Sequence, residues 1–169
     1  ELHAEGGYEA IDAAFEDVPT STEQIMHPDK YLEEPRDEPQ RVELPDVAGA
    51  LGDGWEETFS NTLGEFDLWI MLRENGAADP AHAAAGWGDA NFALDTNADD
   101  ALMLLSTVWD TPQDATEFAD ALRETLGTAS GDNLWEQDGR FFALAETDAG
   151  VVLVSGTQQA AVEAAVGGV

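Results

Sequence analysis

The stretch that decides the fold runs from Gly86 to Gly127, GWGDANFALDTNADDALMLLSTVWDTPQDATEFADALRETLG. Phe92 and Leu94 alternate with Ala93, and Asp95-Thr96-Asn97-Ala98-Asp99-Asp100 supplies turn residues, which predicts a strand running into a turn. Ala101 to Trp109 is nearly unbroken apolar surface, the pattern of a central strand covered on both faces. Thr111 then precedes Pro112 with Asp114 three residues on, the spacing of an N-cap, a first-turn proline and a capping-box partner. Ala115, Phe118, Ala119, Leu122 and Leu126 follow at helical spacing, and Gly127 closes the helix. The plan is strand, turn, strand, helix.

The same plan recurs downstream. Phe142-Ala143-Leu144 repeats Phe92-Ala93-Leu94, Val151 to Ser155 repeats the apolar strand, and Thr157-Gln158-Gln159 leads into a second helix closed by Gly167-Gly168. Asn133 to Gln137 adds a strand that folds back through Asp138-Gly139, a hairpin turn. Two tandem ββα units predict an α+β fold: an antiparallel-rich sheet of four to five strands, with both helices on one face. The apolar strands then need a lid on the other face. Tyr8, Ile11 and Phe15 of an opening helix, with Phe66, Trp69 and Ile70, are the candidates for it.

Residues 1–85 read as a mainly helical segment packed against a sheet portion of residues 86–169, the two forming one compact unit. Tyr8, Ile11, Ala14 and Phe15 fit an amphipathic helix that starts as if in mid-structure, which suggests a fragment or a processed product. Pro19 ends it, and Thr20 to Gln24 restarts a short helix with capping-box spacing. Residues 33–47 carry Pro35, Pro39 and Pro45 and read as an extended connector. Beyond it, Glu56 to Thr62 reads as a strand, Leu63 to Glu74 as a helix, and Asp79-Pro80 opens another short one.

Charge sets the habitat. The chain has 169 residues, with 36 acidic against 6 basic ones, a formal net charge of −30, one lysine and no cysteine. Nucleic-acid binding is excluded as a function class, because phosphate neutralisation needs clustered Lys and Arg. No stretch approaches the ~20 apolar residues of a spanning helix, and anionic membranes would repel the surface. Five Trp, seven Phe and 43% hydrophobic residues argue against a disordered acidic tail. Acids scattered over a foldable domain with lysine almost eliminated predict a protein of an extreme halophile, whose surface is screened by salt cations at high concentration.

Several blocks together resemble a poorly characterised family. They are Gly6-Gly7-Tyr8-Glu9-Ala10-Ile11, then Pro19-Thr20-Ser21-Thr22-Glu23-Gln24-Ile25-Met26-His27-Pro28-Asp29-Lys30-Tyr31, then Leu63-Gly64-Glu65 and Ala85-Gly86-Trp87-Gly88. The family consists of secreted or surface proteins of haloarchaea, with bacterial relatives, that look like zinc metallopeptidases. Asp89-Ala90 departs from its pattern, where a further Gly and Asp are expected. The resemblance implies that this chain is a C-terminal portion lying downstream of a zincin-like part with an HExxH motif. It also implies an extracellular or cell-surface location, and the N-terminal part of the same parent as a partner.

No HExxH occurs in this chain, and His3, His27 and His82 are isolated from one another. A zincin site needs two His at i, i+4, a third ligand and a general-base Glu, so no catalytic residue is assigned. Glu23 and His27 can share a helix face as metal ligands, but two ligands from one short turn leave a site incomplete, and a hydrogen-bonded structural histidine is the competing reading. Asp95-Thr96-Asn97-Ala98-Asp99 has the start of a calcium loop, yet Asp100 stands where glycine is needed and Ser106 where the bidentate Glu belongs. Tyr31 and Trp87 are ligand or packing candidates, the latter a Gly-flanked ring. The expected function is a non-catalytic structural or partner-binding portion of a halophilic surface protein, with no cofactor of its own and zinc only in a longer parent. The alternatives are a fragment of an active zinc metallopeptidase and a small-ligand binding module.

Overall fold

A computed structural model describes residues 2–98, 100–148 and 150–169. The chain opens with α1 (Leu2–Glu16), kinked at Gly7, followed by the single turns α2 (Thr22–Met26) and α3 (Pro28–Leu32). The proline-rich connector of residues 33–47 is free of helix and strand, as its composition predicts. It leads into α4 (Ala48–Leu51), β1 (Glu56–Thr62), α5 (Glu65–Glu74) and α6 (Pro80–Ala84). The first ββα unit is β2 (Trp87–Asn97), β3 (Asp100–Trp109) and α7 (Pro112–Leu126). After β4 (Leu134–Gln137), the second is β5 (Arg140–Glu146), β6 (Gly150–Gly156) and α8 (Gln159–Val166).

The fold is α+β, with all described pairings antiparallel in one sheet of order β1-β2-β3-β6-β5-β4. It has six strands rather than four to five, because both β1 and β4 join as edges. The order reads the same from either edge: each apolar strand lies at the centre and each unit builds outward. The registers agree too. Phe92 faces Leu105, and Phe142, fifty positions on, faces Ser155, fifty on from Leu105. At the centre Leu104 pairs with Val154, its own counterpart at the same offset.

Local signals read from the sequence hold where they rest on short-range chemistry. Thr111 Oγ1 accepts the N–H of Asp114 while the Asp114 carboxylate accepts that of Thr111, closing the capping box. Asp138 and Gly139 both take positive φ (52° and 76°), as a two-residue hairpin turn requires. The acidic turn after β2 includes Asp99, which lies outside the described residues.

The helices do not share a face. Phe118, Ala119 and Leu122 of α7 pack with Leu105, Val151 and Leu153 on one side of the sheet. Val162 and Ala165 of α8 pack with Leu102, Leu104, Val152 and Val154 on the other, beside Val47. β3 continues to Trp109, whereas β6 stops at Gly156, the counterpart of Ser106. The three-residue difference is odd, and successive residues of a strand point to opposite faces, so the two chains leave toward opposite sides.

The lid is therefore built differently from the expectation. Leu68 and Leu72 of α5, with Ala83 and Ala84 of α6, lie on the α7 side and are buried. α8, Leu44, Val47 and Leu51 cover the other side. Tyr8 and Phe15 are 76% and 80% exposed, and no described residue before Leu44 belongs to either apolar core. Of the candidate lid residues Trp69 is packed against the core, whereas Phe66 is 45% exposed and belongs to neither core.

Candidate functional site

The run Ser21–Tyr31 folds into two short turns whose polar side chains face inward. Ser21 Oγ caps α2 by accepting the N–H of Gln24 (3.1 Å). Pro28 then sits in the first turn of α3, where its missing N–H costs nothing. Gln24 is buried with both ends of its amide paired: its carbonyl accepts the N–H of Thr20 (2.8 Å) and its NH2 donates to the Asp37 carbonyl (2.7 Å).

Lys30, the chain's one lysine, lies at the centre. Its ammonium is 2.6 Å from Glu23 Oε1, 2.7 Å from Asp37 Oδ2 and 2.6 Å from Asp110 Oδ2. Those carboxylates come from α2, the connector and the β3–α7 turn, so one charge ties three segments. Glu23 is buried (2% exposed). Burial pushes its carboxyl up to about 7, against the opposing pull of Lys30. Burial alone would lower the Lys30 ammonium, but its three carboxylates outweigh that and hold it above the usual lysine range.

A second pair adjoins the first. His27 Nε2 lies 2.8 Å from Glu65 Oε1, joining the end of α2 to the first turn of α5. Glu65 is wholly buried, and its other oxygen, Oε2, has no hydrogen-bond partner among the described residues. Burial raises its carboxyl above the ordinary range, with His27 pulling the other way. A carboxyl in that position carries a proton more readily than one in water.

The sequence candidates are therefore brought to one region but to different partners. Glu23 turns to Lys30 and His27 to Glu65, so they do not form a shared ligand pair. Carboxylate oxygens of Glu23, Asp37 and Asp110 lie within 4.8 Å of one another, close enough to hold a cation. The Lys30 ammonium takes that position. Tyr31 is buried, donates its hydroxyl to the Asp17 carbonyl (2.6 Å) and carries the Arg36 guanidinium over its ring at 4.4 Å.

Trp87 lies in the α7-side core, 3% exposed, with its indole Nε1 unpartnered among the described residues. The flanking glycines serve close approach. A Cβ on Gly86, at φ +78°, would stand 2.5 Å from Asp114 Cγ, and one on Gly88 would stand 2.7 Å from Gln40 Nε2. Asp37, Glu65 and Asp110 were not legible as partners, being three acids among 36. The signal that could have led here is the solitary Lys30, since a lysine kept in so acidic a chain has a local task.

The fold and site define an acidic α+β domain with a paired-hairpin sheet and a helical segment fastened to it by ion pairs. Residues 51–166 match the family described as Domain of unknown function (DUF8575), and the chain belongs to that family. No curated protein and no solved structure matches the chain. The match takes in Glu65 and Asp110 and begins after the segment that carries Glu23, His27 and Lys30.

Proposed function

We propose that this chain is a non-catalytic structural or partner-binding portion of a halophilic surface protein, related to the zincin-like family that its sequence blocks resemble. The observation that carries the reading is the use of the resembling run itself. Glu23 and Lys30 bind one another, Gln24 bridges Thr20 to Asp37, His27 binds Glu65, and Tyr31 binds the Asp17 carbonyl. Residue types that elsewhere perform acid–base or metal chemistry are here spent on holding α2, α3 and the connector together. A ligand set with an open position, which hydrolytic zinc requires, is not formed by Glu23 and His27.

The partner half rests on exposed apolar side chains. Tyr8, Phe15, Val18 and Ile25 are each more than half exposed and fall within eighteen positions of one another. On a surface otherwise crowded with carboxylates, such residues mark a contact region. The preceding part of its own parent protein is the partner this reading assigns to it, on the outer face of an extreme halophile.

Zinc analysis and peptide hydrolysis on the purified chain in molar salt test the reading. The expected result is substoichiometric zinc after washing and no hydrolysis. One zinc per chain, lost in Glu23→Gln and His27→Ala, would overturn it.

A further inference from the structure

We propose that residues 2–38 form a strap that opens and closes on the DUF8575 domain as one unit, fastened by Lys30 at Asp110 and by His27 at Glu65. The inference concerns how this segment is attached and does not depend on what partner the chain has.

Three observations meet here. The strap contributes no residue to either apolar core; Leu2, Ile11, Pro19, Pro28 and Tyr31 instead line a pocket within the strap itself. Its described hydrogen bonds and ion pairs to the domain are the Lys30–Asp110 pair, the His27–Glu65 pair and the N–H of Phe66 donating to Thr22 Oγ1 (3.3 Å). The family match starts at residue 51, beyond both strap and connector.

Apolar burial fastens elements by many small terms, whereas this segment is held to the domain by two polar side-chain pairs and one further hydrogen bond. The contacts inside the strap are more numerous than those leaving it. Arg36 pairs with Asp17 at 2.7 Å, Lys30 with Glu23 and Asp37, and Thr20 Oγ1 donates to Glu38 at 2.9 Å. The same Lys30 ammonium serves the internal and the outward pairs, so the segment loosens cooperatively and its internal hydrogen bonds open with its docking. Beyond it the connector stays pinned, with Gln40 N–H on the Gly88 carbonyl and Val42 N–H on Asp89 Oδ2, both at 2.9 Å. The hinge falls between Glu38 and Gln40. Opening frees Asp110 of its lysine and uncovers the wholly buried Glu65, leaving an anionic notch on the domain.

Amide hydrogen exchange on the full chain in molar KCl reads this directly, because local openings appear as groups of amides with a common free energy. The reporters are the N–H groups of His27, Lys30, Glu33 and Asp37, each bonded to a carbonyl within the segment. The expected result is that these four share one opening constant at least about tenfold larger than that of the β3 and β6 amides. In Lys30→Met, strap protection should fall by about a hundredfold while β3 and β6 stay protected. Asp110→Asn, changed from the domain side, should shift the same amides in the same direction. One shared opening constant for strap and sheet in the unaltered chain would overturn the proposal. So would loss of sheet protection, or failure to fold, in Lys30→Met.

Discussion

Glu23 and Glu65 are acids held in a place that favours their neutral forms, and this gives the region a pH dependence of definite sign. Burial raises both carboxyls above their ordinary value near 4.5, Glu23 to about 7. Each therefore holds its proton more tightly folded than unfolded. The stability contributed is complete below pH ~4.5 and is lost as pH rises, for Glu23 through about 7. Urea midpoints in 3 M KCl should fall between pH 5 and pH 8, and Glu23→Gln should flatten that slope; a midpoint rising over this range would contradict the assignment. At Gly150 the constraint is steric. A Cβ there would lie 1.7 Å from the Thr107 carbonyl oxygen, backbone that cannot swing aside. Gly150→Ala should cost at least the upper end of ~1–3 kcal/mol. Gly49→Ala, with nothing within 4 Å in a helical turn, should be neutral or stabilising by up to ~1 kcal/mol. Paired denaturation curves decide both.

Among the elements, α7 shows what a sequence pattern carries. Its cap, first-turn proline, apolar stripe and Gly127 stop all lie within the helix, so all were legible. Phe118 is wholly buried, with its ring 4.7 Å from that of Trp109. Phe118→Ala should cost ~3–5 kcal/mol, seen as a lowered urea midpoint with an unchanged slope. The face on which α7 lies was not legible, because it turns on where β3 ends relative to β6. The opening helix failed differently: Tyr8, Ile11 and Phe15 announce an apolar stripe, but periodicity names no partner for it. Leu68 and Leu72, four apart on α5, present an equally short stripe and are the side chains that reach the sheet. The ion-pair site was the least legible part. Lys30 stood out by its rarity, but joining it to Asp110 spans eighty positions that only the fold brings together.

Across the whole molecule, the net charge of −30 is set against two modest apolar cores. Eight described Lys or Arg ion pairs and two histidine contacts engage a minority of the 36 acids, leaving the rest to repel one another through solvent. Salt shortens the reach of that repulsion, from a Debye length of ~10 Å at 0.1 M to ~3 Å at 1 M. The Lys30 cluster, partly buried around Glu23, is screened less than fully exposed pairs and persists at high salt. Circular dichroism melts of the full chain at pH 7, taken through a dialysis from 3 M to 0.1 M KCl, test the halophilic reading most directly. The midpoint should fall steadily and the chain should be unfolded in dilute buffer, partly restored on acidification as carboxylates are neutralised. An undiminished, cooperative melt at 0.1 M KCl and pH 7 would contradict the halophilic reading.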